Sequence, residues 1–175
     1  DAGVIKTGSY QEGAGDAGDI SVSAPSVVLS GGALVRADTW GDGRGGNLTV
    51  SATDEILISG IDSNGNRSGL FSTTHGAGDA GDIRVTAPTL TLEDGGIIEA
   101  ETVSSGSAGN IEISVGRLNV SGEGSAISSG SFGGSGSGGS VVVAAAESVT
   151  LSDAGVIRSG SYQEGTICPW QHVFH

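Results

Sequence analysis

One cysteine, Cys168, stands in 175 residues, so neither a disulfide framework nor a cysteine-ligated metal site is available to the chain. Methionine is absent, proline occurs three times and aromatic residues make up 4%, too few for a protein that binds by stacking on sugars or bases. Seven Lys and Arg stand against 20 Asp and Glu, a net charge of −13. Nucleic acid and anionic membrane surfaces are thereby excluded as partners, since both need a basic face. No apolar stretch approaches the roughly 18 residues of a membrane-spanning helix, and none has the form of a secretory signal. No stripe of apolar residues at three-and-four spacing persists for a window of about 11 residues, so no helix is expected. Lacking an initiating methionine, the sequence reads as an internal piece of a longer array.

Repetition is what the chain has in abundance. Residues 1–13 read DAGVIKTGSYQEG and residues 153–165 read DAGVIRSGSYQEG, differing only by Arg158 for Lys6 and Ser159 for Thr7. Between them a unit restarts at Gly18, Gly46, Gly81, Gly109 and Gly139, at steps of 28, 35, 28 and 30 residues. The long step carries an insertion within residues 61–70. A period of this size marks a solenoid or related array, and blades of a propeller would need about 40–50 residues each.

Each unit contains three short alternating runs. Ile20-Ser21-Val22-Ser23-Ala24 is typical of the first, Leu90 and Leu92 of the second, and Ile98-Glu99-Ala100 of the third. Period-two alternation buries one set of side chains and exposes the other, and β-branched residues suit strands. Glycine, 33 residues in all, sits between the runs. Pro25 and Pro88 occupy one repeat position and are expected to stop the first strand at a corner. The expected fold is all-β: a right-handed parallel β-helix of about five coils, each of roughly 30 residues and three short strands. Five steps of about 4.8 Å make a rod of roughly 24 Å. Val22, Val50, Val85, Ile113 and Val143 are expected to form one inward ladder, and an uncapped end coil to expose a strand edge. This β-helix covers residues 1–165. Residues 166–175 break the pattern and read as foreign to the repeat, a product of a frameshift, a misplaced gene boundary or cloning.

The recurring pattern Gly-[Asp/Asn]-Ile-x-Val-x-Ala-Pro, then x-Leu-x-Leu, then Gly-x-Ile-x-Ala resembles the filamentous-haemagglutinin type of repeat found in large exoproteins of Gram-negative bacteria. The wording GAGDAGDI…APTLTLEDGGIIEAET is similar to versions in cyanobacterial surface proteins. The resemblance spans residues 1–165. It implies a β-helical shaft, exported by two-partner secretion through a dedicated outer-membrane transporter, displayed at the cell surface and used in adhesion to a glycan or protein of a host or neighbouring cell. It implies no catalysis.

Other chemistry is tied to specific residues. Gly13–Gly18, Gly41–Gly46 and Gly76–Gly81 each match G-x-G-x-x-G, but each leads into a strand where a dinucleotide site needs a helix. Carboxylates in glycine-rich turns can hold calcium, which makes Asp16, Asp19, Asp79 and Asp82, with Asp42 in a comparable turn, candidates in a calcium-stabilised surface-layer module. Against this, the nonapeptide phasing of calcium-binding solenoids is absent, and Asp also bonds its own turn backbone. β-Helices can also carry polysaccharide lyases and hydrolases. Glu99 and Glu101, two apart on one strand and so about 7 Å from each other, are the candidate catalytic pair for glycosidic cleavage. Their face is expected to present Lys6, Arg36, Ser72, Ser128 and Arg158 in one row and Gly8, Asp38, Thr74, Gly130 and Gly160 in the next, without a basic partner on the adjacent coils. His75 lies beside a turn; His172 and His175 join Cys168 in the foreign tail, where a metal site is a coincidence of composition. Insertions in solenoids often face a partner, so Asn64, Asn66 and Arg67 are the candidate contact residues.

Overall fold

The computed structural model describes residues 3–9, 15–132 and 134–162. The departure of residues 166–175 from the repeat therefore concerns a segment outside the described residues, as does any use of Cys168, His172 or His175.

Every regular element among the described residues is a strand. Eleven run in chain order: β1 (Val4–Ser9), β2 (Ile20–Ser30), β3 (Leu34–Thr39), β4 (Leu48–Ser59), β5 (Gly69–Thr74), β6 (Ile83–Glu93), β7 (Ile97–Thr102), β8 (Ile111–Ser121), β9 (Ala126–Phe132), β10 (Val141–Ser152) and β11 (Val156–Tyr162). The odd strands form a six-stranded sheet in the order β1-β3-β5-β7-β9-β11, and the even strands a five-stranded sheet in the order β2-β4-β6-β8-β10. All pairings between these strands are parallel. The chain is thus a β-solenoid of about five turns, each adding one strand to each sheet.

The coil has two strands where three short runs are expected. Its first two runs join in one strand of 11 or 12 residues. Pro25 lies inside β2 and Pro88 inside β6, so neither ends its strand. The corner survives as a slip in register, between Ala24 and Ser26 in the β2–β4 pair and between Ala145 and Ser148 in the β8–β10 pair. A bend that keeps its inter-coil hydrogen bonds accommodates a proline on one coil without breaking the ladder.

The inward rows stand as the alternation requires. Val22, Val50, Val85, Ile113 and Val143 are successive register partners, as are Val35, Leu70, Ile98 and Ile127 in the other sheet. These rows face each other in one apolar core that runs the length of the stack. Each coil is only a slice of that core, so it is stable only between neighbours. The row Thr7, Ala37, Ser72, Ala100, Ser129 explains the small inward residues at one corner. Ser72 is fully buried; its Oγ accepts from Gly81 N at 2.8 Å and donates to Gly46 O at 3.0 Å. Ser129 Oγ likewise donates to Gly109 O at 2.7 Å. These hydroxyls satisfy turn backbone that has no strand partner.

Candidate functional site

The outward face of the six-stranded sheet collects most of the ionisable side chains that are not fully solvated. Its first row is Lys6, Arg36, Phe71, Glu99, Ser128 and Arg158. Its second holds Gly8 beside Asp38, then Thr73, Glu101, Gly130 and Gly160. In β5 this corrects the expected rows: Ser72 and Thr74 point inward and are fully buried, while Phe71 and Thr73 point out. The insertion ahead of β5 makes two adjacent apolar residues, Leu70 and Phe71, compete for the core row. Leu70 takes it, and Phe71 folds outward over Gly69, where a β-carbon would meet its ring at 2.7 Å.

Glu99 and Glu101 stand side by side on β7, both partly buried. Burial pushes the Glu99 carboxyl up to about 7, although Arg158 and Arg67 draw it down. Glu101 is raised well above the usual range by burial first and by the charge of Glu99 second; a hydrogen bond from Ser128 and the charge of Arg158 oppose this. Ser128 Oγ donates to Glu101 Oε1 at 2.9 Å and accepts from Arg158 Nε at 3.1 Å. Arg158 also lies over the Tyr162 ring, 5.8 Å from its centre. The expected lack of basic partners is thus overturned. Arg158 comes from two coils onward, and Arg67 from the insertion, positions that lie far from Glu99 in sequence. Two carboxyls that interact this way titrate as a pair, giving a proton donor and a proton acceptor side by side near neutral pH.

Asp38 is the third raised carboxyl of this face. It is 5% exposed, and burial lifts it to about 6 against the pull of Arg36 and of the Thr73 backbone N–H. Arg36 Nε pairs with its Oδ2 at 2.7 Å. Beyond these rows lies an aromatic margin that composition did not suggest. Trp40 stacks on His75 at 4.1 Å and Phe132 on Tyr162 at 4.9 Å. Each pair comes from neighbouring coils, so the signal in sequence is an aromatic or imidazole ring just past successive third runs.

The acidic turns are spread along the stack, one set per coil. Asp19 Oδ1 accepts from Asn47 N at 2.8 Å, Asn47 Oδ1 from Asp82 N at 2.9 Å, Asp82 Oδ1 from Asn110 N at 2.7 Å, and Asn110 Oδ1 from Ser140 N at 3.1 Å. A parallel series joins Asp16 to Arg44 N at 2.8 Å, Asp42 to Ala77 N at 3.3 Å and Asp79 to Ser107 N at 2.8 Å. Each carboxylate or amide oxygen therefore caps the turn of the next coil, which is a sufficient reason for Asp and Asn at these positions. Among the described residues no three His, Cys, Asp or Glu side chains gather as a metal site. The three G-x-G-x-x-G turns lead into β2, β4 and β6.

The insertion is less open than expected. Asn64 is exposed, but Asn66 and Arg67 are partly buried. Asp62 accepts from the backbone of Asn64 and of Asn66, both at 2.8 Å, and from the Asn66 amide at 2.8 Å. Arg67 reaches along the stack to donate to Gly124 O at 2.6 Å. The loop is thus tied to the solenoid, and Arg67 belongs with the Glu99 cluster rather than with a free contact surface.

No family model, curated protein or solved structure matches this chain.

Proposed function

We propose that the chain is a non-catalytic segment of the shaft of a large secreted bacterial surface protein, a rod that holds an adhesive element away from the cell. The observation that carries this reading is the continuity of the stack. Both sheets run in parallel register from one end of the described residues to the other, and side-chain oxygens add a further series of bonds from turn to turn. Such a body is stiff along its axis and gains length by simple addition of coils. The −13 charge keeps such a rod soluble and discourages non-specific association. The repeat wording of residues 76–102 favours export through an outer-membrane transporter as the route to the surface.

The test is the location of the segment on the cells that make it. Antibodies raised against the 175-residue chain should label intact cells, and external protease should remove the label. Labelling that requires permeabilised cells would contradict the proposal.

A further inference from the structure

The two ends of the stack expose its core. At one end Val4 and Ile5 of β1 are 51% and 49% exposed; at the other Val149 and Leu151 of β10 are 50% and 49% exposed. Ile5, Val149 and Leu151 occupy inward rows whose members are fully buried on the middle coils, so each end is an unfinished section of the core and not a solvated surface.

These ends match each other. Strand β11 repeats β1, with Val156, Ile157, Gly160 and Ser161 standing for Val4, Ile5, Gly8 and Ser9. Within the chain, β1 lies against β3 with Ile5 opposite Val35 and Ser9 opposite Thr39. The free edge of β11 therefore offers β3 of a second copy the surface that β1 offers it. In the other sheet β10 has 12 residues, as has β4, which already pairs with β2 through the slip at Pro25. Extending the rows brings Val143 of one copy to Val22 of the next, Val149 to Val27 and Leu151 to Leu29.

The outer sheet edges also lack the charges that usually block edge pairing. The middle of the even-strand sheet carries ion pairs, Arg84 with Glu112 and Arg117 with Glu147. The outward residues flanking the first run are Ser21 and Ser23 on β2 and Val142 and Ala144 on β10.

We propose that copies of this chain join head to tail, β10 of one adding to β2 of the next while β11 takes the place of β1 beneath β3. The contact is heterologous and does not close on itself, so it extends to a filament. It is independent of where the protein resides.

Ser23 and Ala144 share an outward row, four strands apart within one chain, a separation of about 19 Å that no disulfide spans. Between copies they become neighbours. In a Cys168→Ser background, the Ser23→Cys/Ala144→Cys double variant should form covalent dimers and longer multimers on mild oxidation, about tenfold more than either single variant. Both positions are exposed, and circular dichroism of the oxidised and reduced forms checks the fold. The unmodified chain should show concentration-dependent sedimentation. A single concentration-independent species with no multimers in the folded double variant would overturn the proposal. Equal cross-linking in either single variant would overturn it too, because that result requires symmetric pairing of like edges.

Discussion

Replacing Gly81 by alanine is expected to destabilise the protein by about 2–4 kcal/mol, whereas Gly15→Ala should change stability by less than about 0.5 kcal/mol. The two glycines belong to equivalent-looking turns. A β-carbon on Gly15 would point into open space, but one on Gly81 would run into the Gly46 carbonyl of the preceding coil. The same collision recurs from Gly46 to Gly18, from Gly109 to Gly81 and from Gly139 to Gly109. Backbone stacks directly on backbone at this corner, and neither carbonyl has a flexible end that could move aside. Gly81 N also donates to the buried Ser72 hydroxyl, so a shift of the turn to relieve the clash would cost that bond as well. Urea unfolding of the two variants gives the comparison directly. Equal stabilities would mean that the coils are not stacked through this corner as described.

Acidification from pH 8 to pH 5 is expected to stabilise the fold. Asp38 moves from 3.8 up to about 6 on folding and Glu99 from 4.5 up to about 7, with Glu101 raised as well. Between these values the folded chain holds protons that the unfolded chain has released, so stability falls as pH rises through the folded pKa values. For Asp38 alone the loss by pH 8 amounts to about 3 kcal/mol. His75 acts in the opposite sense below its ordinary value of about 6.5, since burial and the charge of Arg36 hold its pKa down. General repulsion among the acidic groups acts in the same direction as the three carboxyls, and a variant separates them. Glu101→Gln keeps a hydrogen-bond acceptor for Ser128 while removing one buried charge. It should raise the melting temperature at pH 8 and leave it nearly unchanged at pH 5. A parent chain that melts higher at pH 8 than at pH 5, or a Glu101→Gln variant without the pH 8 gain, would contradict the assignment of buried carboxyls to this face.

The stack was legible in the sequence because its cause is local. Alternation in Ile20–Ala24 and its four copies assigns inward and outward rows without knowledge of the neighbours, and the recurrence of the unit brings like rows together. What alternation could not assign was register after the insertion. Leu70 and Phe71 are adjacent and apolar, and only the pairing with β7 decides which enters the core. The merging of the first two runs was hidden for a related reason. Pro25 signals a break, but the hydrogen bonds to β4 on either side of it carry the strand through. Glu99 and Glu101 were identifiable as a pair; their burial was not, because Arg67, Ser128 and Arg158 lie 32, 29 and 59 residues from Glu99 in sequence. The turn aspartates were compatible with a cation or with backbone capping, and only the inter-coil N–H groups distinguish what their oxygens face.

The central claim, that this is a shaft built of coils that depend only on their neighbours, is tested most directly by pulling single molecules from end to end. Coils begin 28, 35, 28 and 30 residues apart, and an extended chain spans about 3.3–3.6 Å per residue, so each coil that peels away should release roughly 100 Å. A saw-tooth of successive ruptures at about that spacing is the expected trace. One rupture that releases the whole chain at once, or smooth extension without peaks, would contradict it.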